Sequence, residues 1–153
     1  MSKYLKVAIQ FKDETTFREA LRDVCKARGI QFEQGQNLTL VGYLNDLRPE
    51  TAEYVILRRY VGTSANDLGF ARQADGSLGV VISEFDSRNT GAEIVAQVRQ
   101  RYARLQVEKQ ARARGMRVEE VKEAGGAIRL RLYPTAAARR QIRQAYTRRQ
   151  GNG

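Results

Sequence analysis

Leu5, Val7, Ile9 and Phe11 alternate with Lys6, Ala8 and Gln10, the period of two expected of a strand with one buried face. Asp13 follows, a residue whose carboxylate can accept the free amide hydrogens of a first helical turn. Phe17, Ala20, Leu21, Val24 and Arg28 then recur at helical spacing, and Gly29 supplies a left-handed stop. From Gln31 to Phe85 the pattern is strands and turns. Leu38, Leu40, Gly42 and Leu44 share one face, and Tyr54 to Val61 reads as an interior strand, apolar on both sides at its centre. Asn45–Pro49 and Gly62–Asn66 read as loops, and Ala74-Asp75-Gly76-Ser77 as a hairpin turn between Asp67–Phe70 and Leu78–Phe85.

A second helix is predicted from Thr90, burying Ile94, Val95, Val98, Tyr102 and Leu105 and ending at Gly115. Two strands follow around a Gly125-Gly126 turn. In the last, Ile128-Arg129-Leu130-Arg131-Leu132-Tyr133, one face is expected to pack and the other to carry arginine. Beyond Pro134, Thr135 can cap a short helix with a thin apolar edge of Ala138, Ile142 and Tyr146. The order β-α-β-β-β-β-α-β-β lacks the strand–helix alternation of a doubly wound parallel sheet. It predicts an α+β fold, an antiparallel sheet with two helices on one face. Residues 1–133 form the expected domain and 134–153 an arginine-rich tail or short helix.

At 153 residues one domain is expected, and the apolar runs fall short of the roughly 18 residues that cross a bilayer. No membrane association is predicted. The opening Met1-Ser2-Lys3-Tyr4 leads into the strand pattern rather than a secretory segment, so a cytoplasmic location is expected. The single Cys25 excludes an internal disulfide and sits at the edge of the first helix's apolar stripe, where a small core filler is expected.

There is no histidine. Ser-His and Cys-His nucleophile pairs are therefore excluded, as are histidine bases and metal ligands, and one cysteine makes no zinc cage. Carboxylate or lysine chemistry remains. Glu119-Glu120 are strand neighbours facing opposite ways, and Asp67, Asp75, Glu84 and Asp86 match no calcium or magnesium loop spacing. The glycines at 62, 69, 76 and 79 form no Gly-x-Gly-x-x-Gly or Walker pattern. No catalytic residue, metal or cofactor is assigned.

Charge changes the picture more. The chain carries +10, with 21 arginines against 6 lysines. Pro134 to Gly153 holds Arg139, Arg140, Arg143, Arg148 and Arg149 and no acid, and Thr90 to Gly115 has six bases against two acids. Such stripes attract phosphates or acidic protein surfaces, and arginine favours bidentate contacts; a solvated, soluble surface is the plainer reading. Arg99, Arg101, Arg104, Arg129 and Arg131 join the five tail arginines as candidate partner contacts. The helical arginines point in different directions at about 100° per residue, which argues against a groove-reading DNA helix. Tyr43, Tyr54, Tyr60, Phe70 and Tyr133, interleaved with Arg58, Arg59, Arg129 and Arg131, suit base stacking only on a shared exposed face; core packing is the competing role.

Several segments together resemble a known family. Gly42-Tyr43, Ala52-Glu53-Tyr54-Val55-Ile56, Asn66-Asp67-Leu68-Gly69-Phe70, Gln100-Arg101-Tyr102-Ala103 and Gly126-Ala127-Ile128-Arg129-Leu130-Arg131-Leu132 stand in the order and spacing of the uncharacterised hypothetical chloroplast reading frame thirty-five family. That family, a domain of unknown function, occurs in plastids, cyanobacteria and other bacteria. The resemblance runs from Met1-Ser2 to about Tyr133. It implies a small α+β protein whose relatives sometimes lie beside a AAA-type ATPase gene, and it supplies no catalytic residues. The family's usual histidine at the position of Lys3 and its sheet tryptophans are missing, and the arginine-rich tail is added. The expected function is a non-enzymatic binding or adaptor protein engaging an acidic partner through its basic helix and tail, with the AAA-type ATPase as one candidate partner. An RNA- or ribosome-associated protein is the alternative, and a carboxylate enzyme the second.

Overall fold

In the computed structural model, which describes residues 3–151, five strands form one antiparallel sheet in the order β1-β5-β4-β3-β2. They are β1 (Tyr4–Phe11), β2 (Glu33–Val41), β3 (Leu47–Ile56), β4 (Leu68–Arg72) and β5 (Leu78–Ser83). The helices are α1 (Glu14–Arg28), a one-turn α2 (Arg58–Val61), α3 (Thr90–Ala113) and α4 (Ala136–Gly151). Strands β6 (Met116–Lys122) and β7 (Ile128–Pro134) pair only with each other. The fold is α+β, as the pattern predicts. The resemblance at Met1-Ser2 lies outside the described residues.

The chain divides into two compact units, residues 1–102 and 103–153, with α3 continuing from one into the other. In the first, Asp13 caps α1 by accepting from the Thr16 amide at 3.1 Å, and Gly29 closes it in the left-handed region. The α1 stripe Phe17, Leu21 and Val24 and the α3 stripe Ile94, Val95 and Val98 bury against Tyr54, Phe70, Val80 and Ile82 of the sheet. Both helices therefore cover the same sheet face. The Phe17 ring centre lies 4.9 Å from Phe11, 5.0 Å from Phe70 and 5.1 Å from Tyr54, tilted or edge-on packing that fixes how α1 seats.

The other face carries a smaller cluster of Tyr4, Leu40, Ala52, Val55 and Val81. Here β4 has no room for a side chain at Gly69: a Cβ would come 2.8 Å from Ala52 Cβ and 3.2 Å from both Leu40 methyls. That close approach, not a phosphate cradle, accounts for this glycine.

Three expectations fail locally. The strand predicted through Val61 ends at Ile56, because the Asp67 carboxylate draws in the Arg58 amide at 2.7 Å and the chain turns into α2. The loop expected at Asn45–Pro49 shortens, since β3 begins at Leu47 and absorbs Pro49 where its register with β2 shifts between Thr39 and Val41. On β1, Phe11 is buried but Leu5 and Val7 are 36% and 38% exposed, because β1 is an edge strand paired to β5 alone.

In residues 103–153 a Gly125-Gly126 turn, with φ of 94° and 86°, joins β6 to β7 in the left-handed geometry that suits a twisted hairpin. Thr135 caps α4 through a 3.2 Å bond from the Ala138 amide. Leu105 and Ala111 are the only buried side chains of this unit among the described residues.

Candidate functional site

Charge separates along the chain. Residues 103–153 hold thirteen lysines and arginines against four glutamates, a net +9, while residues 1–102 hold fourteen against thirteen, a net +1. The basic unit also leaves apolar faces uncovered, while residues 1–102 expose Leu5, Val7, Tyr43, Leu44, Leu47 and Phe85. Ile128, Leu130 and Leu132 alternate along β7 and so share one face with Val118 of β6, yet they are 52%, 37% and 52% exposed. The face expected to pack does not pack, because a two-stranded hairpin has no second layer of its own to cover it. On α4, Ile142 and Tyr146 stand one turn apart at 60% and 66% exposure. No residue of α4 is buried.

The reverse face of the hairpin carries Arg117, Arg129 and Arg131 opposite Tyr133, Val121 and Glu119. Arg129 and Arg131, expected on the outer face of the main sheet, stand instead on this separate hairpin. Arg117 pairs with Glu119 and lies over the Tyr133 ring at 5.5 Å from its centre. Glu119 and Glu120 face opposite ways, as their adjacency predicts.

The ten arginines singled out from the sequence fall into two groups. Three bind acids within the chain: Arg101 to Asp23 at 2.8 Å, Arg104 to Glu108 and Glu120 at 2.8 Å each, and Arg129 to Glu123 at 2.6 Å. Arg104 is the most enclosed of them, its side chain 18% exposed between two carboxylates. Among the described residues Arg99, Arg131, Arg139, Arg140, Arg143, Arg148 and Arg149 form no ion pair, and all are exposed. Arg139, Arg140 and Arg143 fall within an arc of about 100° on α4. Ile142 and Tyr146 lie beside that arc. The sequence marked the arginines; it did not mark the β7 leucines as part of the same surface, because alternation says which residues share a face and not whether anything covers it.

The remaining candidate chemistry resolves into structure. Asp67 is buried, and its carboxylate accepts from the Val41 amide at 2.9 Å and the Arg58 amide at 2.7 Å. Burial raises its pKa above the usual aspartate value, the two backbone donors opposing it. The buried Asp86 accepts from the Asn66 amide at 3.0 Å and from Ser83 Oγ at 2.5 Å. Asp75 accepts from the Ser77 amide at 3.0 Å in its turn. Among the described residues no group of three or more histidine, cysteine or acidic side chains is placed to hold a metal ion. Cys25 is buried and its thiol is pushed up to about 11 by desolvation, so little thiolate exists at neutral pH. Tyr54 and Phe70 are fully buried, which removes both from any stacking surface. No helix of the described residues is long and apolar enough to cross a membrane.

One comparison bears on this surface. The family model described as a protein of unknown function, DUF1257, matches residues 21–131, well over half of the chain, and takes in β6 and most of β7. The chain belongs to the DUF1257 family. The match stops before α4, so the basic tail helix lies outside the span that defines DUF1257. No curated protein and no solved structure matches the chain.

Proposed function

We propose that this DUF1257 protein is a non-enzymatic binding or adaptor protein whose residues 103–153 dock an acidic protein surface. One observation supports the reading most: +9 of the chain's +10 charge falls in the unit that also leaves Ile128, Leu130, Leu132, Ile142 and Tyr146 exposed. An acidic protein with apolar patches satisfies both features, since it desolvates the aliphatic face while its carboxylates meet the arginines. A nucleic acid satisfies the charge but makes poor use of aliphatic side chains, since bases stack on aromatic planes. The finer family assignment, to the plastid and cyanobacterial reading frame thirty-five group, and a AAA-type ATPase as the acidic partner belong to this proposal. So does a cytoplasmic setting, which suits one buried, unpaired thiol.

The test uses three full-length chains for recovery of partners from the native host: the parent, an Arg139→Gln/Arg140→Gln/Arg143→Gln variant, and an Ile128→Ser/Leu130→Ser variant. A protein partner should be lost from both variants, each weakened by about tenfold or more. RNA should be lost from the charge variant alone, removed by nuclease, and weakened steeply by salt. That second pattern transfers the reading to an RNA-associated protein. Equal recovery of every partner by all three chains overturns both.

A further inference from the structure

The main sheet ends on one side at β1, whose outer edge meets no other strand among the described residues. Lys3 stands opposite Glu84, and the Glu84 amide donates to the Lys3 carbonyl at 2.6 Å. In an antiparallel ladder, opposed pairs that exchange hydrogen bonds alternate with pairs that do not. With Tyr4 opposite Ser83 and Val7 opposite Val80, Leu5 and Val7 therefore bond to β5, while the N–H and C=O groups of Tyr4 and Lys6 point to the open edge. The register shifts between Val7 and Phe11, so the regular part of this edge is Tyr4 to Val7. The opposite edge, β2, is less suited to pairing: Asn37 is left-handed at φ 49°, and the register with β3 shifts twice.

The two faces of the β1 edge differ. On the helix side Leu5 and Val7 are partly uncovered, and a hollow of about 160 Å³ adjoins Val7, with Val80, Ile82, Ala92, Ala96 and Arg99 in its lining. Helix α3 presents the small side chains of Ala92 and Ala96 there, which leaves room for one branched aliphatic group. On the other face Lys6 stands exposed opposite Val81. Residues 3–12 hold Lys3, Lys6 and Lys12 and no acid. Among the described residues none of the three forms an ion pair, nor does Arg99, and Glu84 just beyond β5 is held by Arg88 at 3.6 Å. A second copy of the chain would bring three more lysines and no acid to the same edge. Like charges side by side oppose that pairing, and the same lysines favour an acidic strand.

We propose that β1 adds a strand from an acidic protein partner, an extended segment in which carboxylates alternate with branched apolar residues. The acidic residues lie on the face of Lys6, and their backbone groups exchange hydrogen bonds with Tyr4 and Lys6. The apolar residues continue the face of Leu5 and Val7, and one of them fills the hollow against α3. Main-chain bonds supply the affinity and the alternating side chains the selectivity. The edge lies within residues 1–102 and does not depend on the docking surface of residues 103–153.

The test titrates the full chain with the blocked peptide Glu-Val-Glu-Val-Glu-Val-Glu while backbone amide shifts and amide exchange are followed. Saturable shifts are expected at Tyr4 and Lys6, with a dissociation constant of about 100 μM or tighter. At saturation, exchange at those two amides should slow by about tenfold or more, while Leu5 and Val7, already bonded to β5, change by less. Methylating the glutamate nitrogens, which face β1, should abolish binding. Methylating the valine nitrogens, which face away, should leave it within about threefold. A peptide of the same composition with its valines and glutamates in separate blocks should bind at least about tenfold more weakly. So should the alternating peptide to Lys6→Glu or Ala96→Gln chains, both changed at exposed positions. The proposal is overturned by the absence of saturable shifts at Tyr4 and Lys6, by equal binding of the two methylated peptides or of the block peptide, or by variants that bind like the parent. Shifts confined to residues 103–153 overturn it as well, since the net +9 charge would then be holding the peptide. Protection of the same two amides by a concentration-dependent dimer, without peptide, assigns the edge to a second copy and overturns it too.

Discussion

Tyr102 shows what one side chain holds together. Its ring packs edge-on against Phe11 with centres 5.1 Å apart, and its hydroxyl oxygen accepts from the Asp13 amide at 3.1 Å, the residue that caps α1. Tyr102→Ala should therefore cost about 2–4 kcal/mol, less than a fully buried aromatic because the ring is only partly covered. An unchanged urea midpoint would show that the ring contributes nothing to the core. Asp67 makes a different case. Its carboxyl group titrates above the normal aspartate value because burial penalises the charge. With the folded pKa raised above the unfolded one, its contribution to stability is complete below about pH 3.9 and is lost as pH rises through the folded pKa. Asp67→Asn does not titrate and can accept from only one of the two amides with its single carbonyl oxygen. It should be less stable than the parent, with the gap largest near pH 3 and narrowing toward pH 7 in paired denaturant titrations. A gap that widens with pH would mean that the backbone donors outweigh burial. Helical spacing alone placed Tyr102 on a buried stripe. Nothing in the spacing exposed Asp67, whose partners Val41 and Arg58 lie 26 and 9 residues away in the chain.

At the scale of elements, local signals carried furthest where the chain meets itself nearby. The Asp13 cap, the Gly29 stop, the Gly76 and Gly125-Gly126 turns and the start of α3 at Thr90 all rest on contacts within a few residues, and all stand in the structure. The signals failed where a distant neighbour decides. Leu5 and Val7 alternate like a buried face but lie on an edge strand, and the β7 leucines do the same on an isolated hairpin. Period-two alternation reports a face; strand order and layering decide whether that face is covered. The arginines were legible as a charge, but the ion pairs of Arg101 with Asp23, 78 residues away, and of Arg104 with Glu120, 16 residues away, needed the fold; only the Arg104–Glu108 pair is local. Helix α4 gives a direct test of element independence. It buries no residue, so a chain ending at Tyr133 should still melt cooperatively, with a midpoint within about 3 °C of the parent. Loss of the cooperative transition would show that α4 holds β6 and β7 in place.

Across the whole molecule, stability and charge are distributed in opposite senses. Residues 1–102 contain nearly all of the buried core and almost no net charge; residues 103–153 contain +9 and bury Leu105 and Ala111. Self-repulsion in so basic a unit opposes compaction, and few apolar contacts resist it. Segments with few buried contacts open locally at a free energy well below that of global unfolding, which is where binding elements tend to be found. Amide hydrogen exchange should therefore be graded along the chain. Amides of β4 and β5, at the centre of the sheet under α1 and α3, should exchange only through global opening. Those of β6, β7 and α4 should exchange faster by at least about 100-fold, a difference of about 2.7 kcal/mol in opening free energy. Added salt should narrow the contrast by screening the arginines. Uniform protection along the chain would contradict this division, because the exposed faces of the basic unit would then need cover that its own residues do not provide. If an acidic partner supplies that cover, protection should rise first from Ile128 to Leu132, where the aliphatic face is, and only then along α4. A rise confined to the arginines of α4, leaving the β7 amides as fast as before, would mark a contact made through charge alone.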